Sequence, residues 1–289
     1  MLRILLFLAT NFAIMVVIAI VFNILGLSGI LDEQGVNLNL NALLVMSAVI
    51  GMSGSFISLL MSKWMAKRSM GVQIIERPSN QTEQWLLNTV SRLAKQAGIG
   101  MPEVGIFNMP DPNAFATGMN RNNALVAVST GLLQAMGEDE VEAVIGHEIS
   151  HVANGDMITL SLMQGVVNTF VYFFASIIGY IVDRVLLKNE EGLGIGYYIT
   201  QMIAQIALSF LATMLVMWFS RYREFKADKG GAELAGRQKM INALKALQRG
   251  QPEDLPGEFA AFGINGGLRG LFSSHPPIEE RIAALQSQR

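Results

Sequence analysis

Charged residues are absent from four long stretches of the chain. There are 28 uncharged residues between Arg3 and Asp32, 29 between Glu33 and Lys63, 26 between Asp156 and Asp183, and 29 between Glu191 and Arg221. A bilayer core takes about 20 apolar residues of helix, so each stretch is long enough to span one. The pattern predicts membrane helices over roughly 4–25, 41–61, 158–181 and 197–219. Trp64, Tyr180, Tyr197, Tyr198 and Trp218 sit near their ends, where interfacial aromatics anchor a helix. The first apolar run is too long for a signal-peptide core and no A-x-A site follows it, so it reads as a retained helix.

Between the second and third stretches the periodicity changes. Residues 72–75 read as a short strand. Leu86, Val90, Leu93 and Ala97 share one helical face, which predicts a helix over 79–97 with Ser79 as its cap and Gly98 as its stop. Residues 103–107 and 124–129 read as strands, 113–117 as extended chain and 120–123 as turn chemistry, which together predict a small sheet with a hairpin. After Gly137, the acids Glu138, Asp139 and Glu140 suit the first turn of a helix predicted over 138–154. Beyond the fourth stretch, helix continues to about Leu234 and a second covers 237–249. Residues 251–275 read as a Gly- and Pro-rich loop, and a last helix starts at Pro276-Pro277. The glycines from Gly263 to Gly270 follow no strand and lack the Lys-Ser/Thr of a phosphate loop, so they read as flexible loop.

Four segments follow: a transmembrane hairpin over 1–61, a polar segment over 62–157, a second hairpin over 158–219 and a polar tail over 220–289. Lysine and arginine orient them. The loop 26–40 has none and 182–196 has two, whereas 62–157 has seven and the tail eleven. The positive-inside bias puts both polar segments and both termini in the cytoplasm. Span two carries the small-residue pairs Gly51–Ser55 and Gly54–Ser58, which suit helix packing.

Composition narrows the function. The chain is 51% hydrophobic and 15% charged, with a mean hydropathy of +0.39. A net charge of −2 gives no footprint for nucleic acid. No cysteine is present, which excludes a disulfide scaffold, a cysteine nucleophile and a thiolate metal site. The spans hold no Asp, Glu, Lys, Arg or His, which argues against an ion-coupled transporter. Imidazole chemistry must draw on His147, His151 and His275.

Two of these fall in His147-Glu148-Ile149-Ser150-His151 on the predicted helix 138–154. Positions i and i+4 share a face about 6 Å apart, so both imidazoles can meet one tetrahedral zinc. Glu148 points to the side, where it can take a proton from a water that zinc activates. Catalytic zinc takes three protein ligands. The HExxHxxGxxH form would need histidine where Met157 stands, so an acid must serve. Glu224 and Asp228, in Arg223-Glu224-Phe225-Lys226-Ala227-Asp228, are also i and i+4. One can bind zinc while the other accepts a hydrogen bond from a ligating imidazole. Spacing alone does not choose between them, and it equally describes a solvated charge run at a membrane border.

HEISHVANGD at 147–156, followed after a membrane pair by REFKAD at 223–228, resembles the HtpX family of bacterial membrane zinc proteases, relatives of the type I CAAX prenyl proteases. NAFATG at 113–118 and HPPIEERIAAL at 275–285 fit the same family, so the resemblance covers nearly the whole chain. It implies a mainly α membrane protein: four transmembrane helices plus a cytoplasmic α+β, zincin-like metalloprotease domain built from the two polar segments. It implies one zinc per subunit with His147, His151 and Glu224 as ligands, Glu148 as catalytic acid/base, and Asp228 as support for His147. Asn113, Ala114, Phe115 and Ala116 resemble the edge strand with which thermolysin-like enzymes pair an extended substrate. His275, the one histidine outside the ligand set, resembles their oxyanion donor, although a surface histidine capping the last helix fits its position equally. The implied activity is zinc metalloendopeptidase cleavage of misfolded or damaged membrane proteins in stress-related quality control at the bacterial inner membrane, self-cleavage included. The implied partners are polypeptide substrates and the bilayer.

Three rivals are weighed against this. An intramembrane site-2-type protease would bury HExxH in a span, but here Glu138, Asp139, Glu140 and Glu142 share its helix. A CAAX prenyl protease carries the same zinc motifs, but short connections between the spans leave less room for a large chamber. A non-enzymatic scaffold or transporter is at odds with the intact metal constellation.

Overall fold

The computed structural model describes residues 20, 39–190, 192–250 and 275–287. The predicted first span and the loop 251–274, with its glycines, lie outside the described residues. The chain divides into two compact units, one of Met1–Ile57 with Ser161–Val216, the other of Ser58–Leu160 with Met217–Arg289. Among the described residues three helices are long and apolar enough to cross a membrane: Leu40–Ser69, Asp156–Leu186 and Ile195–Ala235.

In the first unit, helix α1 (Leu40–Ser69) packs on α5 (Asp156–Ile181) through small residues. A Cβ at Gly51 would lie 2.5 Å from the Thr169 nitrogen, and Ser161 Oγ donates to the Ser55 carbonyl at 2.9 Å. Close backbone approach of this kind is what binds helices where lipid supplies no hydrophobic drive. Only half of the expected small-residue pairing is used: Gly54 meets nothing within 4 Å and Ser58 is exposed. Gln201, on α6 (Ile195–Ala235), donates from Nε2 to Ser176 Oγ at 2.8 Å, a buried polar pair that satisfies both groups. A π-helical turn (Val182–Leu186) follows α5, and its Asp183 accepts from the Gly194 amide at 3.0 Å and from Asn189 Nδ2 at 2.9 Å, closing the connection to α6.

The second unit holds a four-stranded sheet in the order β1-β2-β4-β3, with β1 Gln73–Ile74, β2 Glu103–Phe107, β3 Ala114–Asn120 and β4 Asn123–Ser129. β2 and β4 run parallel, while β1 pairs antiparallel with β2 and β3 with β4. The predicted hairpin is therefore present, and β3 forms one edge. Helix α2 (Gln81–Gln96) buries Leu86, Val90 and Leu93, the face its periodicity marks. Its cap differs from expectation: Asn80 Oδ1 accepts the Glu83 amide at 2.8 Å. The Glu83 carboxylate in turn receives the Ser79 amide and hydroxyl, so Ser79 supports the cap from outside. A six-residue helix α3 (Thr130–Ala135), which the pattern did not mark, follows β4 because Ser129 Oγ caps it by accepting the Leu132 amide.

Helix α4 (Glu138–Asn154) sets Val141, Ile145, Ile149 and Val152 into the core against α2, the sheet, α7 (Arg237–Gly250) and α8 (Ile278–Ser287). Gly155 ends it at φ 69°, a left-handed conformation that costs glycine nothing, and α5 begins at the next residue. Burying each of these aliphatic side chains stabilises the unit by about 1.5–3 kcal/mol. That packing leaves a second face of α4, carrying His147 and His151, turned to α6.

Candidate metal centre

His147 and His151 lie one turn apart on α4, with their Nε2 atoms 3.1 Å from each other. Glu224 comes from α6, its Oε2 3.5 Å from His147 Nε2 and its Oε1 3.2 Å from His151 Nε2. Tetrahedral ligands at about 2.0–2.2 Å from a cation stand about 3.4 Å from one another. The three donor atoms are thus spaced as one small cation requires, and all lie within 4.8 Å of one another. They form the one such cluster among the described residues.

Three glycines let the helices approach this closely. A Cβ at Gly231 of α6 would lie 2.9 Å from the His147 nitrogen and 3.1 Å from its Cα, and one at Gly230 would lie 2.5 Å from Ser150 Oγ. From the α4 side, a Cβ at Gly146 would come within 3.3 Å of the Gly231 carbonyl.

The second ring nitrogen of each imidazole faces an aspartate, with a hydrogen bond formed at His151 and a close approach at His147. His147 Nδ1 lies 2.9 Å from Asp228 Oδ1, and His151 Nδ1 lies 2.6 Å from Asp156 Oδ2. A carboxylate on Nδ1 fixes the tautomer that leaves Nε2 with a lone pair for metal. Burial works against a charged His147, but the nearby carboxylates of Asp228 and Glu224 outweigh it and hold the ring above its ordinary value. His151 is likewise held high: burial opposes protonation, while the hydrogen bond to Glu224 and the charges of Glu148 and Glu224 prevail.

Residues 80–289 match the family described as Peptidase family M48. The chain belongs to peptidase family M48. That family is one of metallopeptidases, and the cluster supplies the donors it requires. The Protease HtpX of Thioalkalivibrio sulfidiphilus is 63% identical over 99% of both chains, and that of Nitrosococcus oceani is 61% identical over 99% of both. The crystal structure of Ste24p from S. mikatae shares the fold, with a TM-score of 0.60 and 17% identity over 97% of this chain and 67% of that one.

Against this M48 frame each expected site residue has a position. His147, His151 and Glu224 converge, and Asp228 sits behind His147. Glu148 is half-buried on α4. Ala114, Phe115 and Ala116 lie on the edge strand, and Asn113 precedes it, its carbonyl accepting the Ser129 amide at 2.8 Å. His275 is not set apart from the ligands: its Nδ1 lies 2.5 Å from Glu224 Oε2, and its side chain is 59% exposed. At the start of the last helix the Glu280 and Arg281 amides donate to the Pro277 carbonyl. Three site residues went unassigned in the sequence: Asp156, Arg223 and Arg281. Each stands inside a quoted motif, and Asp156 directly after a helix-ending glycine was the one local signal.

Proposed function

We propose that this chain is an integral membrane zinc endopeptidase that cuts misfolded or damaged membrane proteins at the cytoplasmic face of the bacterial inner membrane, itself among its targets. The reading assigns four spans, counting 4–25, with both termini cytoplasmic and the segments 62–157 and 220–289 forming the protease domain. The observation that carries it is the donor set: three donor atoms at tetrahedral spacing, each imidazole with its other nitrogen facing a carboxylate.

His147, His151 and Glu224 would hold one zinc. Bound there, zinc supplies a Lewis acid that polarises the scissile carbonyl and makes a water nucleophilic near neutral pH. Glu148 takes the proton from the attacking water and returns it to the leaving amine. Asp228 keeps His147 in its ligating tautomer. Residues Asn113–Ala116 offer a strand edge to an extended substrate, which gives affinity through backbone hydrogen bonds with little side-chain choice. His275, with a proton on each ring nitrogen, would donate through Nε2 to the developing oxyanion while Nδ1 donates to Glu224.

Relatives named Protease HtpX at 61–63% identity favour this reading over a CAAX prenyl protease. The test is metal content together with cleavage of an unfolded protein by the detergent-purified full chain, with and without chelator, and in Glu148→Gln. One zinc per chain, chelator-sensitive cleavage and a metal-replete, inactive Glu148→Gln are expected. Cleavage that survives complete metal removal overturns it.

A further inference from the structure

Behind each ligand histidine stands an aspartate, and behind each aspartate an arginine. On one side Arg281 of α8 grips Asp228 with two bonds, Nε to Oδ2 at 2.8 Å and Nη2 to Oδ1 at 2.6 Å, and Asp228 Oδ1 faces His147 Nδ1 at 2.9 Å. On the other side Arg223 of α6 is paired with Asp156 Oδ1 and donates from Nη1 to the Asp156 carbonyl at 2.9 Å, while Asp156 Oδ2 faces His151 Nδ1 at 2.6 Å. All four charged side chains are buried. Arg281 reaches further still, with Nη1 3.5 Å from Glu224 Oε2.

Buried ion pairs seldom repay their desolvation as stability, so two of them flanking one site call for another explanation. The hydrogen-bond geometry supplies it. An aspartate held at one edge can rotate about its last bond and carry the imidazole plane with it. On Asp228 the fork of Arg281 takes both carboxylate oxygens and fixes that plane; on Asp156, Arg223 takes Oδ1 and the residue's own carbonyl and so ties the side chain to its backbone.

We infer that Arg281 and Arg223 are positioning residues for the metal centre, each locking one ligand histidine in the Nδ1–H tautomer and in a fixed ring plane through its aspartate. Arg281 carries the larger share because it also braces Glu224. Both arginines are buried on the far side of their aspartates from the histidines they serve. The inference rests on the metallopeptidase reading, and it makes the last helix part of the site: without α8, Asp228 and His147 lose their orientation.

The experiment titrates the chelator-stripped, detergent-purified full chain with zinc against a competing indicator, and with cobalt(II) read by its visible absorption. It compares the unaltered protein with Arg281→Met, Arg281→Lys and the double variant Arg281→Met with Asp228→Asn, which removes both charges and so escapes the cost of an unpaired buried aspartate. Far-UV circular dichroism of the stripped forms controls for folding. The double variant is expected to fold, to bind zinc about 10–100-fold more weakly and to shift the cobalt bands. Arg281→Lys should recover part of the affinity lost in Arg281→Met but not the band positions, since an ammonium replaces the charge without the fork. Unchanged zinc affinity and cobalt bands in the folded double variant overturn the inference. So does an Arg281→Lys indistinguishable from Arg281→Met. Failure of the unaltered protein to take up metal would sink the metallopeptidase reading itself, which separates the two.

Discussion

Replacing Gly231 with alanine should damage the metal centre without touching a ligand. The new methyl carbon would stand 2.9 Å from the His147 nitrogen, 3.1 Å from its Cα and 3.3 Å from Met240 Sδ. Ordinary contacts begin near 3.4 Å, so α4 and α6 must part by about 0.5 Å, and the nearest obstacle is backbone that cannot swing aside. His147 rides on α4 and Glu224 on α6, already 3.5 Å apart between Nε2 and Oε2. A metal site tolerates ligand errors of about 0.2 Å, so the movement exceeds what one cation can bridge without strain. Overpacking of this kind costs about 1–3 kcal/mol, which at 1.4 kcal/mol per decade is about 5- to 150-fold in zinc affinity. Alanine in mid-helix returns about 1 kcal/mol of helix propensity, so the stripped protein should melt within a few degrees of the original even as the metal is lost. Competition against a zinc indicator, with the melting curve of the stripped form beside it, measures both. Gly137→Ala is the control, because nothing lies within 4 Å of a Cβ there. If Gly231→Ala binds zinc as tightly as the unaltered protein, the glycine does not set the helix separation and the reasoning fails.

Other outcomes follow from the same geometry. Glu224→Ala should lose metal and activity together, while Asp228→Ala should weaken metal binding by about 10–100-fold; tight stoichiometric zinc in Glu224→Ala would point to a different third ligand. Stripped and zinc-loaded protein should respond oppositely to pH. His147 and His151 are held above their ordinary value, so the stripped fold gains stability as pH falls through their raised values, a gain complete by about pH 6.5 and lost as pH rises again. The loaded fold should instead lose stability over that range, as protons displace metal; parallel melting curves of the two forms would contradict this. His275→Ala should lower both turnover and zinc affinity, because the ring rests on a ligand oxygen; turnover falls by about 100–1,000-fold if it also serves the oxyanion, and wild-type values for both would return it to an ordinary surface residue. The chain has no cysteine, so single-cysteine labelling can fix topology: in intact spheroplasts an impermeant maleimide should modify Lys188→Cys and spare Arg121→Cys.

The parts legible in the sequence are those that one period specifies. Helical spacing puts His147 with His151 and Glu224 with Asp228, because residues one turn apart share a face whatever the rest of the fold does. The same rule marks Leu86, Val90 and Leu93 as core, and alternation with turn chemistry marks the β3–β4 hairpin. Adjacent residues with equal chemistry were harder. Ser79 and Asn80 both suit a helix cap, and the choice fell to Asn80, whose side chain reaches the Glu83 amide while Glu83 reaches back to Ser79.

Glu224 against Asp228 shows where periodicity runs out. Both are acids on one face of α6, and nothing in their spacing says which meets the cation. Depth separates them: Glu224 stands level with both Nε2 atoms and has one more methylene to span the gap, whereas Asp228, one turn further along, stands level with His147 Nδ1, which is why Glu224 is the proposed ligand of the cation. That level is set by where α6 crosses α4, and the crossing is set by Gly146, Gly230 and Gly231, residues with no side chain to advertise a role. Arg281 is more remote, 53 positions beyond the aspartate it grips, and as an isolated arginine on an amphipathic last helix its ordinary reading is solvated surface. Only burial reveals otherwise: a guanidinium 6% exposed must have its charge answered nearby, and the groups that answer it are Asp228 and Glu224. A sequence therefore exposes ligands that share a turn. The residues that aim those ligands are brought in from other elements, and their chemistry becomes specific only once the helices have closed around them.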